Sequence, residues 1–224
     1  MDSLGKQYYE LSDTEKKALF VYKSGMSEVL NDLDNEELLR KKYDYYVKIF
    51  NNFKNYIIKM TYFNLIDMTT IDTFKRSLIY VKQIIDEVST KLITTHDLKL
   101  FRMISSSSEI TDISKGNIIS VTTSPGEVIK YELGGIDASI NKLDDLNLVI
   151  YEIELPMGSH VCCVPGRFKY NDKENILDIS SRVNEEELIL NKDIYDIDVI
   201  REYDNDGIKY IKCKAIDRLG KIRK

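Results

Sequence analysis

With 224 residues the chain has room for one large domain or two small ones, and its 43% apolar content is ordinary for a globular protein with a buried core. A net charge of −5, spread over mixed charges with no long basic block, gives no sign of a nucleic-acid partner. Cys162, Cys163 and Cys213 are odd in number and two are adjacent, which argues against a disulfide framework and for a reduced compartment. The opening residues Met1 to Lys6 lack the apolar core of a secretory leader, and no stretch approaches the roughly 20 apolar residues of a membrane span. The expectation is a cytoplasmic protein.

The first hundred residues have the spacing of helices. Ser12 stands three residues before Glu15 as a capping box, and Ala18, Leu19 and Tyr22 follow at helical intervals. A short helix is expected from about Ser27, carrying Val29, Leu30 and Leu33. Leu39, Tyr43, Tyr46, Phe50, Phe53, Ile57 and Met60 form an apolar stripe on one long helix, and Ile71, Phe74, Leu78, Val81, Ile85 and Val88 form another. Both predict core-facing helices.

From about Leu98 the period becomes two. Strands are expected over Leu98–Ile104, Asn117–Ser124, Asn147–Leu155, Ser159–Val164, Glu185–Leu190, Tyr195–Arg201 and Ile208–Ala215. In the third, Val149, Tyr151, Ile153 and Leu155 share a face opposite Glu152 and Glu154, which predicts one buried and one half-exposed side. Asp204-Asn205-Asp206-Gly207 is an expected hairpin turn. The fold class is α+β, one domain over 1–224 with a helical part at 1–95 and a strand-rich part at 96–224.

Several chemistries find no residues to carry them. His96 and His160 have no metal spacing with the cysteines, which form no C-x-x-C pair. No G-x-S-x-G, G-x-G-x-x-G or G-x-x-x-x-G-K-[ST] occurs, so a nucleotide would not bind as in a Rossmann or P-loop protein.

Three short stretches remain. Arg102 ends the apolar run of a strand, where a guanidinium can hold a phosphate or ribose oxygen in a fixed fork, or make a structural ion pair. Thr122, Thr123 and Ser124 supply hydroxyls able to orient a carboxylate, although strands favour threonine in any case. Glu185, Glu186 and Glu187 precede the aliphatic run Leu188-Ile189-Leu190, and in an extended backbone Glu185 and Glu187 share a face while Glu186 takes the other.

In this order the stretches resemble the mono-ADP-ribosyltransferases of the R-S-E type, which include arginine-modifying bacterial toxins and vertebrate ecto-enzymes. Leu98 to Arg102 resembles the first strand with its arginine, Thr122 to Pro125 the Ser-Thr-Ser strand, and Glu185 to Asn191 the E-x-E strand. Leu155 to Ser159 resembles the family's proline-x-glycine-hydroxyl turn, and Leu11 to Leu33 its opening helices. There are two departures: a threonine, Thr122, stands where the triplet usually opens with serine, and no aromatic residue lies near Ser181 to Asn184 in the loop before the acids.

The resemblance implies a helical half packed on a mixed, mostly antiparallel two-sheet core that binds NAD as substrate, with no metal. It implies catalysis by Glu187, which would hold the ribose hydroxyl and offset a ribosyl cation, and by Glu185, which would orient or deprotonate the acceptor. A glutamate at that position goes with arginine as acceptor in this family. Arg102 would grip NAD, with Thr122, Thr123 and Ser124 in the binding strand and Thr122 positioning Glu187. The partner implied is a target protein, with nucleic acid as the alternative acceptor, water in a glycohydrolase, and an antidote or immunity protein as a further partner. A toxin of this kind would be delivered into a host cytosol by a route without a secretory leader. The non-enzymatic alternative is an inactive NAD-binding or interaction domain.

Overall fold

Helix α1, Asp13–Val21, begins where the sequence predicts. Ser12 Oγ accepts from the Glu15 amide at 3.3 Å while the Ser12 amide donates to Glu15 Oε2 at 2.7 Å, so each satisfies a backbone donor that the first turn leaves open. A computed structural model of the chain describes residues 7, 10–52, 64–106, 118–126, 147–164, 168–171, 176–179, 187–205 and 208–221. From α1 the backbone runs without a break through a π turn, Tyr22–Met26, into the short α2, Ser27–Asn31. Helix α3 spans Glu36–Asn52 and α4 spans Ile71–Ser89, the latter capped by a reciprocal pair between Thr70 and Thr73. The outer part of the long stripe, Phe53 to Met60, lies outside the described residues.

The strands are β1 (Leu98–Ser106), β2 (Ile118–Thr122), β3 (Asn147–Leu155), β4 (Cys162–Val164), β5 (Phe168–Asn171), β6 (Ile176–Ile179), β7 (Glu187–Asn191), β8 (Tyr195–Asn205) and β9 (Ile208–Asp217). Seven of them form one sheet in the order β4-β7-β2-β1-β3-β9-β8, and β5 with β6 forms a separate two-stranded ribbon. Among the described residues all strand pairings are antiparallel except that of β3 with β9. The architecture is the expected α+β, mixed and mostly antiparallel. A last short helix, α5, covers Arg218–Lys221.

Two main cores hold this together. The apolar stripes of α1 to α4 bury Leu19, Met26, Leu30, Leu39, Phe74, Leu78 and Ile85, and the same cluster takes in Cys162 of β4 and Ile189 of β7. This seats the helices on that end of the sheet. The second core is the opposite face, where Ile119, Val121, Leu188 and Leu190 meet Leu100, Tyr151, Ile153 and Cys213. The alternation expected in β3 is present: Val149, Tyr151, Ile153 and Leu155 are buried, while Glu152 and Glu154 face outward and pair with Lys99 and Lys212. Strand β8 is longer than its apolar pattern suggests because it is a ladder partner of β9 almost to the hairpin, whose Asp206 and Gly207 lie outside the described residues.

The turn Pro156-Met157-Gly158-Ser159 is tied to the segment after α4. The Gly158 amide donates to the Thr94 carbonyl at 2.8 Å, and the Thr94 amide donates to the Ser159 carbonyl at 2.9 Å. Gly158 sits at φ +83, a left-handed conformation that a side chain would strain. Ser159 to Val161, expected as strand, instead make one isolated bridge, His160 with Ile93.

Candidate active site

Strand register brings the predicted stretches together. Thr122 of β2 lies directly opposite Glu187 of β7, and Phe101 of β1 lies directly opposite Thr122. Opposed residues share a face, so Phe101, Thr122 and Glu187 stand in a row on the sheet, with Ser120 on that face two residues from Thr122. Leu188 and Leu190 alternate into the sheet core, while Ile189 faces the helices. The apolar run after the acids therefore clamps β7 from both sides and fixes the direction in which Glu187 projects.

Glu187 is the centre of a polar cluster. Its Oε1 accepts from Ser120 Oγ at 2.7 Å and from the Tyr22 hydroxyl at 3.4 Å, and its Oε2 pairs with Lys23 Nζ. The Glu187 and Lys23 side chains are each only 16% exposed, so the pair is largely withdrawn from solvent. Adjacent residues on a helix point about 100° apart. The carboxylate sits in the angle between Tyr22 and Lys23, at the start of the π turn, a local irregularity often found at functional positions.

Tyr22 is nearly fully buried. Burial, then the negative charge of Glu187, raises its hydroxyl far above the ordinary tyrosine range, and Ser120 and Arg102 oppose that rise. Tyr22 is therefore a neutral donor to the carboxylate, and Arg102 is near enough for its charge to be felt. Arg102 is half-buried and donates from Nη1 to the Ser120 carbonyl at 3.2 Å, which ties the arginine of β1 to the strand that orients Glu187.

Arg102, Thr122 and Glu187 thus lie on the adjoining strands β1, β2 and β7, with Arg102 bonded to the backbone of β2. The hydroxyl that reaches Glu187 is that of Ser120, whereas Thr122 Oγ1 accepts from the Ser124 amide at 3.1 Å and shapes the turn that follows β2. Strand β2 ends at Thr122, so Thr123 and Ser124 lie beyond it, and the Thr123 hydroxyl oxygen is buried without a hydrogen-bond partner. Glu185 and Glu186 lie outside the described residues. Sequence reasoning missed Ser120, Tyr22 and Lys23. A signal for Ser120 existed: it is a polar residue between Ile119 and Val121, on the face that alternation assigns to Thr122. Tyr22 read as one more member of an apolar stripe.

Such a site can hold a sugar hydroxyl on an oriented carboxylate and stabilise positive charge developing beside it. Among the described residues no group of three histidine, cysteine or acidic side chains is arranged to hold a metal ion. None of the described helices is long and apolar enough to cross a membrane.

No protein-family model matches the chain, and no curated protein does. Solved structures do. The Vis toxin, an ADP-ribosyltransferase from Vibrio splendidus, superposes with a TM-score of 0.52 at 12% identity, over 96% of this chain and 78% of the toxin chain. The same toxin in complex with the M6 inhibitor superposes with a TM-score of 0.50 at 14% identity, again over 96% and 78%. At this identity the likeness is one of architecture, and it extends over nearly the whole chain. The fold of this protein is that of the ADP-ribosyltransferase toxins.

Proposed function

We propose that the protein cleaves the bond between nicotinamide and ribose in NAD and transfers ADP-ribose to an arginine of a target protein, acting as one domain over its helical and strand-rich parts. The observation that supports this most is Glu187, held by Ser120 and Tyr22 beside Arg102 within an ADP-ribosyltransferase fold. The carbon–nitrogen bond breaks with its electron pair leaving on nicotinamide, which departs neutral. The ribosyl cation that remains is stabilised by Glu187, whose carboxylate also accepts from a ribose hydroxyl. Arg102 binds the dinucleotide phosphates or ribose, and Thr122, Thr123 and Ser124, at the end of β2 and just after it, contribute to the same NAD site. The acceptor guanidinium nitrogen attacks the anomeric carbon and gives up its proton to Glu185. A glutamate at position 185 is the feature that favours arginine as acceptor.

The test is incubation with NAD labelled in its adenylate half, in the presence of arginine-containing protein, of nucleic acid, or of no acceptor. The reading expects label on protein arginine, and expects Glu187→Gln to abolish it while the circular dichroism spectrum stays that of the parent. Free ADP-ribose alone makes the protein a glycohydrolase, and label on nucleic acid changes the acceptor. A protein that binds no NAD by calorimetry is not this enzyme.

A further inference from the structure

The Lys23 ammonium stands on Glu187 Oε2, the carboxylate oxygen that neither Ser120 nor Tyr22 takes. A cation in contact with that oxygen occupies the position in which a ribose hydroxyl and the developing ribosyl charge would be met. In that arrangement the carboxylate is already neutralised, and its stabilisation of a second positive charge is diminished. The substrate is itself cationic at its pyridinium ring, so Lys23 in this position opposes the part of NAD that reacts. The other end of the substrate has the reverse preference, because its pyrophosphate is doubly anionic. Lysine has a flexible four-carbon stem that can swing between partners, which the neighbouring Tyr22, buried in the helical core, cannot do.

Taking the NAD-dependent reading above as its basis, we propose that Lys23 is a resident counter-ion of the site, which pairs with Glu187 in the free protein and moves to the pyrophosphate when NAD enters. Two cations, Lys23 and Arg102, then face the phosphates, and Glu187 is freed for the ribose. The exchange ties exposure of the catalytic carboxylate to the presence of a phosphate-bearing substrate. Lys23 is a binding residue that also controls when Glu187 is available.

The mechanism makes opposite demands on two ligands, and Lys23→Met with Lys23→Arg as its charged companion reads them. Binding of NAD and of nicotinamide riboside, which has no phosphate, is measured by calorimetry, with nicotinamide release from NAD followed in parallel. Lys23→Met is expected to weaken NAD binding roughly tenfold or more, since it removes a hydrogen bond to a charged group. The same variant is expected to bind nicotinamide riboside several-fold more tightly, because nothing then competes for Glu187. Lys23→Arg should restore most of the NAD affinity. A general disturbance of the site would weaken both ligands together, and that result overturns the proposal, as does no change in either. If the parent protein releases nicotinamide and Glu187→Gln does not, such a result removes Lys23 alone. If the parent neither binds nor cleaves NAD, the reading of the whole site falls with it.

Discussion

Ser120 and Glu187 are joined across the sheet by a 2.7 Å hydrogen bond, although the residue directly opposite Glu187 is Thr122. The diagonal partner is the one that donates to the carboxylate, and the Thr122 oxygen is turned toward the residues after β2. The Thr122 hydroxyl accepts from the Ser124 amide and closes the turn after β2, whereas Ser120 sits inside the strand with its hydroxyl free to follow the carboxylate. A serine and a threonine on one face have thereby divided two tasks, one orienting Glu187 and one ending the strand.

Ser120→Ala removes a hydrogen bond to an ionised group and should lower nicotinamide release roughly tenfold to a hundredfold. Thr122→Val should cost much less. Steady-state kinetics of the two variants, with NAD varied, compares them, and a larger loss at Thr122 would reverse the assignment.

In the proposed reaction only the acceptor needs the Glu185 carboxylate, so Glu185→Gln should spare NAD hydrolysis while abolishing transfer to arginine. Glu187→Gln should abolish both. Parallel assays of free and protein-bound ADP-ribose check this, and equal loss of the two activities in the Glu185 variant would argue against an acceptor role.

Buried hydroxyls and a buried thiol make the fold sensitive to alkali. Burial raises Tyr22 and Tyr195 well above the tyrosine range, Tyr46 to about 12 and Cys213 to about 11. Each holds its proton more tightly folded than unfolded, so its contribution is intact below the unfolded value and is lost as pH climbs past about 9 for the thiol and about 10 for the tyrosines. Urea midpoints measured from pH 8 to pH 11 should fall over that window. Tyr22→Phe should make the decline shallower, by up to about 1.4 kcal/mol per pH unit.

His160 and Asp217 form a second polar cluster, remote in chemistry from the first. Asp217 Oδ2 accepts from the His160 amide at 2.9 Å and lies 2.6 Å from His160 Nδ1, and the Tyr195 hydroxyl donates to the His160 carbonyl at 2.5 Å. Both side chains are almost wholly buried, which ties the end of β9 to the turn before β4. Asp217→Ala strands those donors and should destabilise the protein by about 3 kcal/mol. Asp198→Ala, at an exposed position of β8, should change stability little. Chemical denaturation of the two variants gives the comparison.

Much of the architecture was open to inspection from residue order. Capping at Ser12, the stripes of α3 and α4, and the alternation of β3 are local patterns, and each is realised because the same residues that favour the element also cover its buried face. Strand β2 shows the limit. The sequence predicts it as far as Ser124, just before Pro125, yet it stops at Thr122, where pairing with β7 ends and the Ser124 amide donates to Thr122 Oγ1. The strands β5 and β6 carry no pattern that set them apart in the sequence, and among the described residues they pair with each other alone.

Residue order alone determined that this chain makes helices before strands, and that an arginine, a hydroxyl strand and a carboxylate strand follow one another, because period and composition are properties of neighbours along the chain. Which hydroxyl reaches Glu187, and that Tyr22 and Lys23 share the carboxylate with it, was decided only in three dimensions. Those contacts join residues more than sixty positions apart, and their partners are selected by strand register and by the seating of the first helices on β4 and β7, neither of which a local pattern encodes.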